Sequence, residues 1–315
     1  MTKATVDTMI EARNLTKSYG DKTAVRNLSF RVEPGTVTGF LGPNGAGKST
    51  TMRMIVGLDR PTSGSVTVNG RPYVSSSAPL HEVGILLDAK AAHPGRTARN
   101  HLRVIASSNG ISNRRVDEVI ELTGLGAVAG KRVGKFSLGM GQRVGIAAAL
   151  LGDPKVVILD EPVNGLDPEG VQWVRQMVRS MAADGRTVLL SSHLMEEMSK
   201  TADRIIVLGK GELIADASVA EILAQADGNS VRVRTNGLDR LAQILAPLGG
   251  TITTTAADTA EITGIPLEQI AELASANGIV LYELTAVQAS LEEAFFALTH
   301  DAVEYRTSNH TESSR

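Results

Sequence analysis

The sequence predicts an α/β protein: a mostly parallel sheet flanked by helices, then a smaller α/β unit of order βαββαβ. Three observations carry this expectation. The apolar run from Thr36 to Leu41 leads directly into Gly42-Pro43-Asn44-Gly45-Ala46-Gly47-Lys48-Ser49, and Met52, Ile55, Val56 and Leu58 then keep helical spacing. A strand, a glycine-rich loop and a helix therefore stand in succession. Apolar strands at 156–160, 187–191 and 204–208 alternate with helical segments, the pattern of a parallel sheet. After Ala224 the composition shifts and a second series of strand and helix signals begins.

Element by element, Met1 to Met9 is polar, lacks the apolar core of a signal peptide and is expected to be disordered. Residues 10–80 alternate apolar and polar in short runs such as Leu28–Val32 and Ser65–Val68, the latter ending at the hairpin turn signal Asn69-Gly70. Residues 90–135 read as mainly helical, with Leu102, Ile105, Val116, Val119, Ile120 and Leu122 on apolar faces; another helix spans 137–151. In the second unit, Val231–Arg234 alternates as a strand, Leu238–Leu248 reads as a helix, and strands follow at 251–254 and 259–263. A helix marked by Leu267, Ile270, Leu273 and Ala274 and a strand at Ile279–Leu284 complete a ferredoxin-like βαββαβ order. The amphipathic helix Leu291–Leu298 closes it, and the polar tail 301–315 is expected to be disordered. The expected domains are thus 10–224 and 225–300, between a lead over 1–9 and the tail.

Composition narrows the function classes. A net charge of −2 offers no basic surface for nucleic acid. The absence of cysteine excludes disulfides and thiolate metal sites and suits the cytoplasm. No apolar run reaches the roughly 20 residues that span a bilayer. If the protein moves something across a membrane, another chain must form the path.

The eight residues Gly42 to Ser49 fit G-x-x-x-x-G-K-[ST], the phosphate-binding loop. Its glycines let several backbone N–H groups point at one phosphate, and the following helix adds the positive end of its dipole. Lys48 is placed to reach the β- and γ-phosphates, and the Ser49 hydroxyl to ligate Mg²⁺. The strand Val156–Leu159 delivers Asp160 and Glu161 at its carboxyl end; Asp160 suits Mg²⁺, and Glu161 is one residue further on, facing an attacking water. Ser137 is a plausible helix N-cap, and with Gly139 and the helix N-terminus it also suits an anion. His193 follows a strand and precedes a helix, where an isolated histidine is more often structural than catalytic.

Five segments stand in one order: the phosphate loop, Ser137-Leu138-Gly139-Met140-Gly141-Gln142, Val156-Val157-Ile158-Leu159-Asp160-Glu161, Gly165-Leu166-Asp167 and Ser191-Ser192-His193. In that order they resemble the ATP-binding subunits of ABC transporters over about residues 10–225. The resemblance implies an ABC-type P-loop ATPase domain, whose mostly parallel sheet carries an antiparallel β subdomain and a helical subdomain. It implies ATP and Mg²⁺ as ligands, with Gly42, Pro43, Asn44, Gly45, Ala46, Gly47, Lys48, Ser49 and Thr50 around the phosphates and Tyr19 against adenine. Ser49 and Asp160 would hold the metal, Glu161 would be the general base, and His193 would contact the γ-phosphate and help hold the water. Ser137 and Gly139 would grip the γ-phosphate bound by a second subunit, and Asp167 would link the two sites. Asp167 also reads as a helix N-cap before Pro168, and both readings can hold.

Three positions depart from the family pattern. The signature is usually Leu-Ser-Gly-Gly-Gln, whereas Leu138 and Met140 stand here. Asp88 occupies a place usually held by Gln; it either approaches Mg²⁺ with altered coupling or is a surface-loop aspartate. Arg96, Arg99, Arg103, Arg114 and Arg115 read first as a solvated helical face. These departures and the C-terminal unit look like the daunorubicin-resistance and bacitracin-type exporter branch. That implies an ATPase on the inner face of the cell membrane, most simply a homodimer, powering a polytopic ABC-2-type permease that exports a drug, peptide or lipid. The competing expectation is a soluble ABC ATPase with a regulatory or assembly role.

Overall fold

A computed structural model describes residues 9–225, 230–287 and 290–299. The expected lead and tail lie outside them except for Met9, whose carbonyl accepts a hydrogen bond from Asn69 N–H at 2.9 Å. The chain forms two compact units, one running through Ser218 and the other over Val219–Leu298. The helix Val219–Gln225 therefore groups with the second unit, although its sequence gave no break from the first.

Nine strands build the first unit: β1 Ile10–Tyr19, β2 Lys22–Val32, β3 Val37–Leu41, β4 Ser63–Val68, β5 Val83–Leu86, β6 Val156–Leu159, β7 Thr187–Ser191, β8 Arg204–Gly209 and β9 Glu212–Ser218. A six-stranded sheet has the order β5-β6-β7-β3-β8-β9. Its first five strands are parallel, and β9 is an antiparallel edge. Every residue of β3, β6 and β7 is buried, as a parallel sheet covered on both faces requires. The smaller sheet, β2-β1-β4, is antiparallel. The Asn69-Gly70 signal proves to be a tight turn closed by a single Val68–Arg71 bridge, and β4 pairs with β1 instead of with a following strand. Ile10, Leu28, Phe30, Phe40, Met52 and Ile55 fill the core beside both sheets.

The region read as helical contains Ala98–Ser108 and Asn113–Leu122, capped by Thr97 and Ser112, and then Leu138–Leu150. Val116, Val119 and Ile120 are buried as expected, but Leu122 is 49% exposed. At about 100° per residue it lies on the far side of the helix from Ile120. Among the basic residues, Arg99 pairs with Asp117, Arg114 with Glu118, and Arg115 with Glu118 and Asp153.

The second unit contains β10 Ser230–Thr235, β11 Thr251–Ala256, β12 Thr259–Thr263 and β13 Leu281–Val287, in the order β11-β12-β10-β13. All three pairings are antiparallel. Helices Leu238–Leu245 and Leu267–Ala276 complete the βαββαβ order, and Val233, Leu241, Ile262 and Ile270 form a core of its own.

Candidate active site

Parallel strands present their carboxyl ends at one edge of a sheet, and the loops leaving that edge build the site. β3 ends in the loop Gly42–Gly47, β6 in Asp160 and Glu161, and β7 in Ser191 to His193. The order β6-β7-β3 places these three loops side by side.

Gly47 precedes the Lys48–Ile55 helix with a φ of 101°, a left-handed value that favours glycine. A Cβ there would stand 2.8 Å from Ala24 O, and one on Gly42 would stand 2.4 Å from Leu208 O. The bare backbone is thus a packing requirement as well as a cradle. Lys48 is only 7% exposed, and its ammonium donates to Gly42 O at 2.7 Å and Pro43 O at 3.2 Å. Burial lowers its pKa from the usual lysine range, while the charges of Glu161 and Asp160 act to raise it. These groups share a cleft lined by Asn44, Gly45, Lys48, Ser49, Asp160 and Glu161, with Ala46, Gly47, Thr50, Ala24 and Leu87 completing its wall.

Asp160 is held at both oxygens: Ser49 Oγ donates to Oδ2 and Ser191 Oγ to Oδ1, each at 2.5 Å. Glu161 adopts a φ of +50°. Its N–H donates to Ser191 Oγ at 2.9 Å, and its carbonyl accepts from Gln142 Nε2 at 2.5 Å. Its carboxylate Oε2 lies 2.8 Å from His193 Nδ1 and accepts a longer bond from His193 N–H at 3.4 Å. A buried cation, a hydroxyl and two carboxylates, one of them bound to a histidine, therefore converge on a glycine-rich loop.

The ABC transporter family model matches residues 25–164. A model described as an AAA domain, putative AbiEii toxin, Type IV TA system, matches 132–199, and a domain of unknown function matches 229–292. The bacitracin transport ATP-binding protein BcrA of Bacillus licheniformis is 40% identical over 214 residues, covering 67% of this chain and 70% of that protein. YhcH of Bacillus subtilis (strain 168), an uncharacterized ABC transporter ATP-binding protein, is 34% identical over 94% of this chain and 98% of its own length. The chain belongs to the ABC transporter ATP-binding proteins. The fold agrees: the dimeric ATP-binding cassette MJ0796, in a post-hydrolysis state bound to ADP and Pi, matches with a TM-score of 0.62 at 25% identity, over 67% of this chain and 98% of that one.

As an ABC ATPase, the chain binds and hydrolyses ATP; the remaining expected residues lie outside the lining of the phosphate cleft. Tyr19 lies at the end of β1, 49% exposed, with its hydroxyl donating to Asp59 at 2.8 Å and Lys17 Nζ 4.8 Å from its ring centroid. Burial and Asp59 raise its pKa. Ser137 caps the Leu138–Leu150 helix by accepting from Met140 N–H at 3.2 Å. It lines a different cleft, with Ala89, Lys90, Phe136 and Leu138. Gly139 is buried against the loop before Asp167; a Cβ there would meet Gly165 O at 2.5 Å. Asp167 is the N-cap of the Pro168–Ala183 helix, accepting from Gly170 N–H at 2.9 Å. Asp88 lies one residue beyond Leu87 of the cleft wall, and its carboxylate accepts from Lys90 N–H at 2.8 Å. Its observed partner is thus that of a loop aspartate.

Sequence reasoning assigned no role to Ser191 or Gln142. Both were legible as anomalies: a serine ending the apolar run Thr187–Leu190, and a glutamine on the helical stripe shared with Ile146 and Ala149. A buried polar side chain must find a partner, and here both find Glu161.

Proposed function

We propose that this chain works as a homodimer that powers an exporter, driving a separate polytopic permease of ABC-2 type that carries a drug, peptide or lipid outward. The observation that carries the catalytic half is the convergence of Lys48, Ser49, Asp160 and Glu161 on one cleft, with His193 bound to the Glu161 carboxylate. The exporter half is supported by the likeness to a bacitracin transport protein and by the branch-like residues at 88, 138 and 140. Among the described residues no helix is long and apolar enough to cross a membrane. The cargo path is therefore assigned to the partner, through which the ATPase sits at the inner face of the cell membrane.

The loop N–H groups and Lys48 hold the phosphates, and Tyr19 takes the base by stacking on its flat face. Ser49 Oγ and Asp160 Oδ2 are hard oxygen donors suited to Mg²⁺. Ser49 and Asp160 would therefore hold the ion beside the phosphate loop. An Mg²⁺ held there would supply positive charge to the phosphate oxygens. Glu161 accepts the proton of the attacking water, and His193 sets the direction of its carboxylate. Ser137 and Gly139 serve the site of the second subunit, so ATP favours a closed dimer and hydrolysis releases it. Asp167, at the loop packed beneath Gly139, then connects the two sites.

Glu161→Gln removes the base and keeps the side-chain volume. Turnover should fall by about 10²-fold or more while ATP still binds. Crosslinked in ATP in its own host, this variant should co-purify with a small polytopic membrane protein. Recovery of the ATPase alone, away from membranes, would return the non-transport reading.

A further inference from the structure

Gln142 is 3% exposed and lies on the buried face of the Leu138–Leu150 helix, among Val144, Ile146, Ala147 and Leu150. Its amide reaches out of that helix to the carbonyl of Glu161, with Nε2 2.5 Å from the oxygen. The orientation of the amide is decided by its partner, since a carbonyl only accepts. Its other end, Oε1, is buried with no hydrogen-bond partner among the described residues. A buried amide with half of its capacity unmet is a costly occupant of an apolar helix face, and methionine or leucine would pack there at less cost. Glu161 meanwhile holds a left-handed φ of +50°, rare for a residue with a side chain. Such a backbone persists only where its surroundings over-determine it. Ser191 holds the N–H side of Glu161, and Gln142 holds the C=O side.

We propose that Gln142 is a positioning residue: it fixes the left-handed peptide of Glu161 and thereby aims the carboxylate, tying the base to the helix whose N-cap is Ser137. The inference rests on reading Glu161 as the base. The bond crosses from one loop system to another, so rotation of that helix would release or restore the peptide. The base is then competent only when the helix is seated, and the helix begins at the serine and glycine assigned to the γ-phosphate of the second subunit. No proton passes through Gln142; its effect is on direction alone.

The test compares Gln142→Met, which keeps length and volume but has no N–H, with Gln142→Asn, which keeps the amide but falls one methylene short. Turnover, KM, ATP affinity and thermal unfolding are measured on the full chain. The expected result is a kcat about 10-fold to 100-fold lower in both variants, the scale of a small misplacement of a reacting group, with KM and ATP affinity unchanged. In a Glu161→Gln background, Gln142→Met should add no further loss, because the group it positions is already gone. Unchanged kcat in either folded variant overturns the inference, as does a parallel fall in kcat and ATP affinity or a full multiplicative loss in the double variant. Wild-type turnover of Glu161→Gln alone would overturn the reading of the base itself. A slow Glu161→Gln beside a fully active Gln142→Met would overturn only the positioning role.

Discussion

Glu161 shows how one residue can depend on side chains far from it in sequence. Its φ of +50° costs about 1–2 kcal/mol for a residue with a Cβ. Ser191 offsets part of that by accepting the Glu161 N–H while donating to Asp160, so one hydroxyl sets both acids. Ser191→Ala should therefore do two things at once. It removes the partner of the Glu161 N–H, at about 1–3 kcal/mol of stability measured by denaturant unfolding. It also frees Asp160 Oδ1 and the Glu161 peptide, so turnover should fall more than ATP affinity does. Equal losses in the two would make Ser191 a packing residue only.

At the scale of elements, the site is a set of strand ends and helix starts. Thr97, Ser112, Ser137 and Asp167 each accept a hydrogen bond from the first turn of the helix they open, so the residues with expected roles at 137 and 167 also hold local structure. The Ala98–Ser108 helix carries a titratable group inside its packing. His101 is half-buried, its Nδ1 has no hydrogen-bond partner among the described residues, and burial followed by the charge of Arg96 lowers its pKa from 6.5. The unfolded chain then binds a proton that the folded chain resists. Stability is fully present above the unfolded value and is lost as pH falls below it toward the folded value. The melting temperature of the wild type should drop as pH falls below about 6.5, and His101→Leu should flatten that dependence. An unchanged slope in the variant would remove His101 as the cause.

For the whole molecule, the separation of the two clefts matters most. The phosphate cleft holds Lys48 and Glu161, whereas Ser137 lines a different one. If each site takes its signature from a second chain, defects in the two parts complement each other in a mixture. Chains with Lys48→Ala have no working loop, and chains with Ser137→Arg, changed at an exposed position, have no working signature, so each alone should be inactive. Mixed, they form dimers with one intact site, and ATP turnover should return. A mixture as inactive as its parts would mean that the site is completed within one chain.

What the sequence by itself determined are features fixed by near neighbours. The phosphate loop between strand and helix, the apolar strand before Asp160, the capping serines and the βαββαβ order of the second unit all follow from spacings of a few residues along the chain. What only the tertiary structure decided are contacts between segments far apart. The order β6-β7-β3 brings Ser49 to Asp160 across 111 positions and Ser191 to the Glu161 peptide across 30. The seating of the Leu138–Leu150 helix delivers Gln142 to the same peptide. Leu122 turned outward because only packing selects which face of a helix is buried. Local pattern chooses the elements by backbone and burial preferences that act within a turn or two. Their order in the sheet, and the strained peptide that two distant side chains hold in place, come from close packing of surfaces that no short stretch of sequence contains.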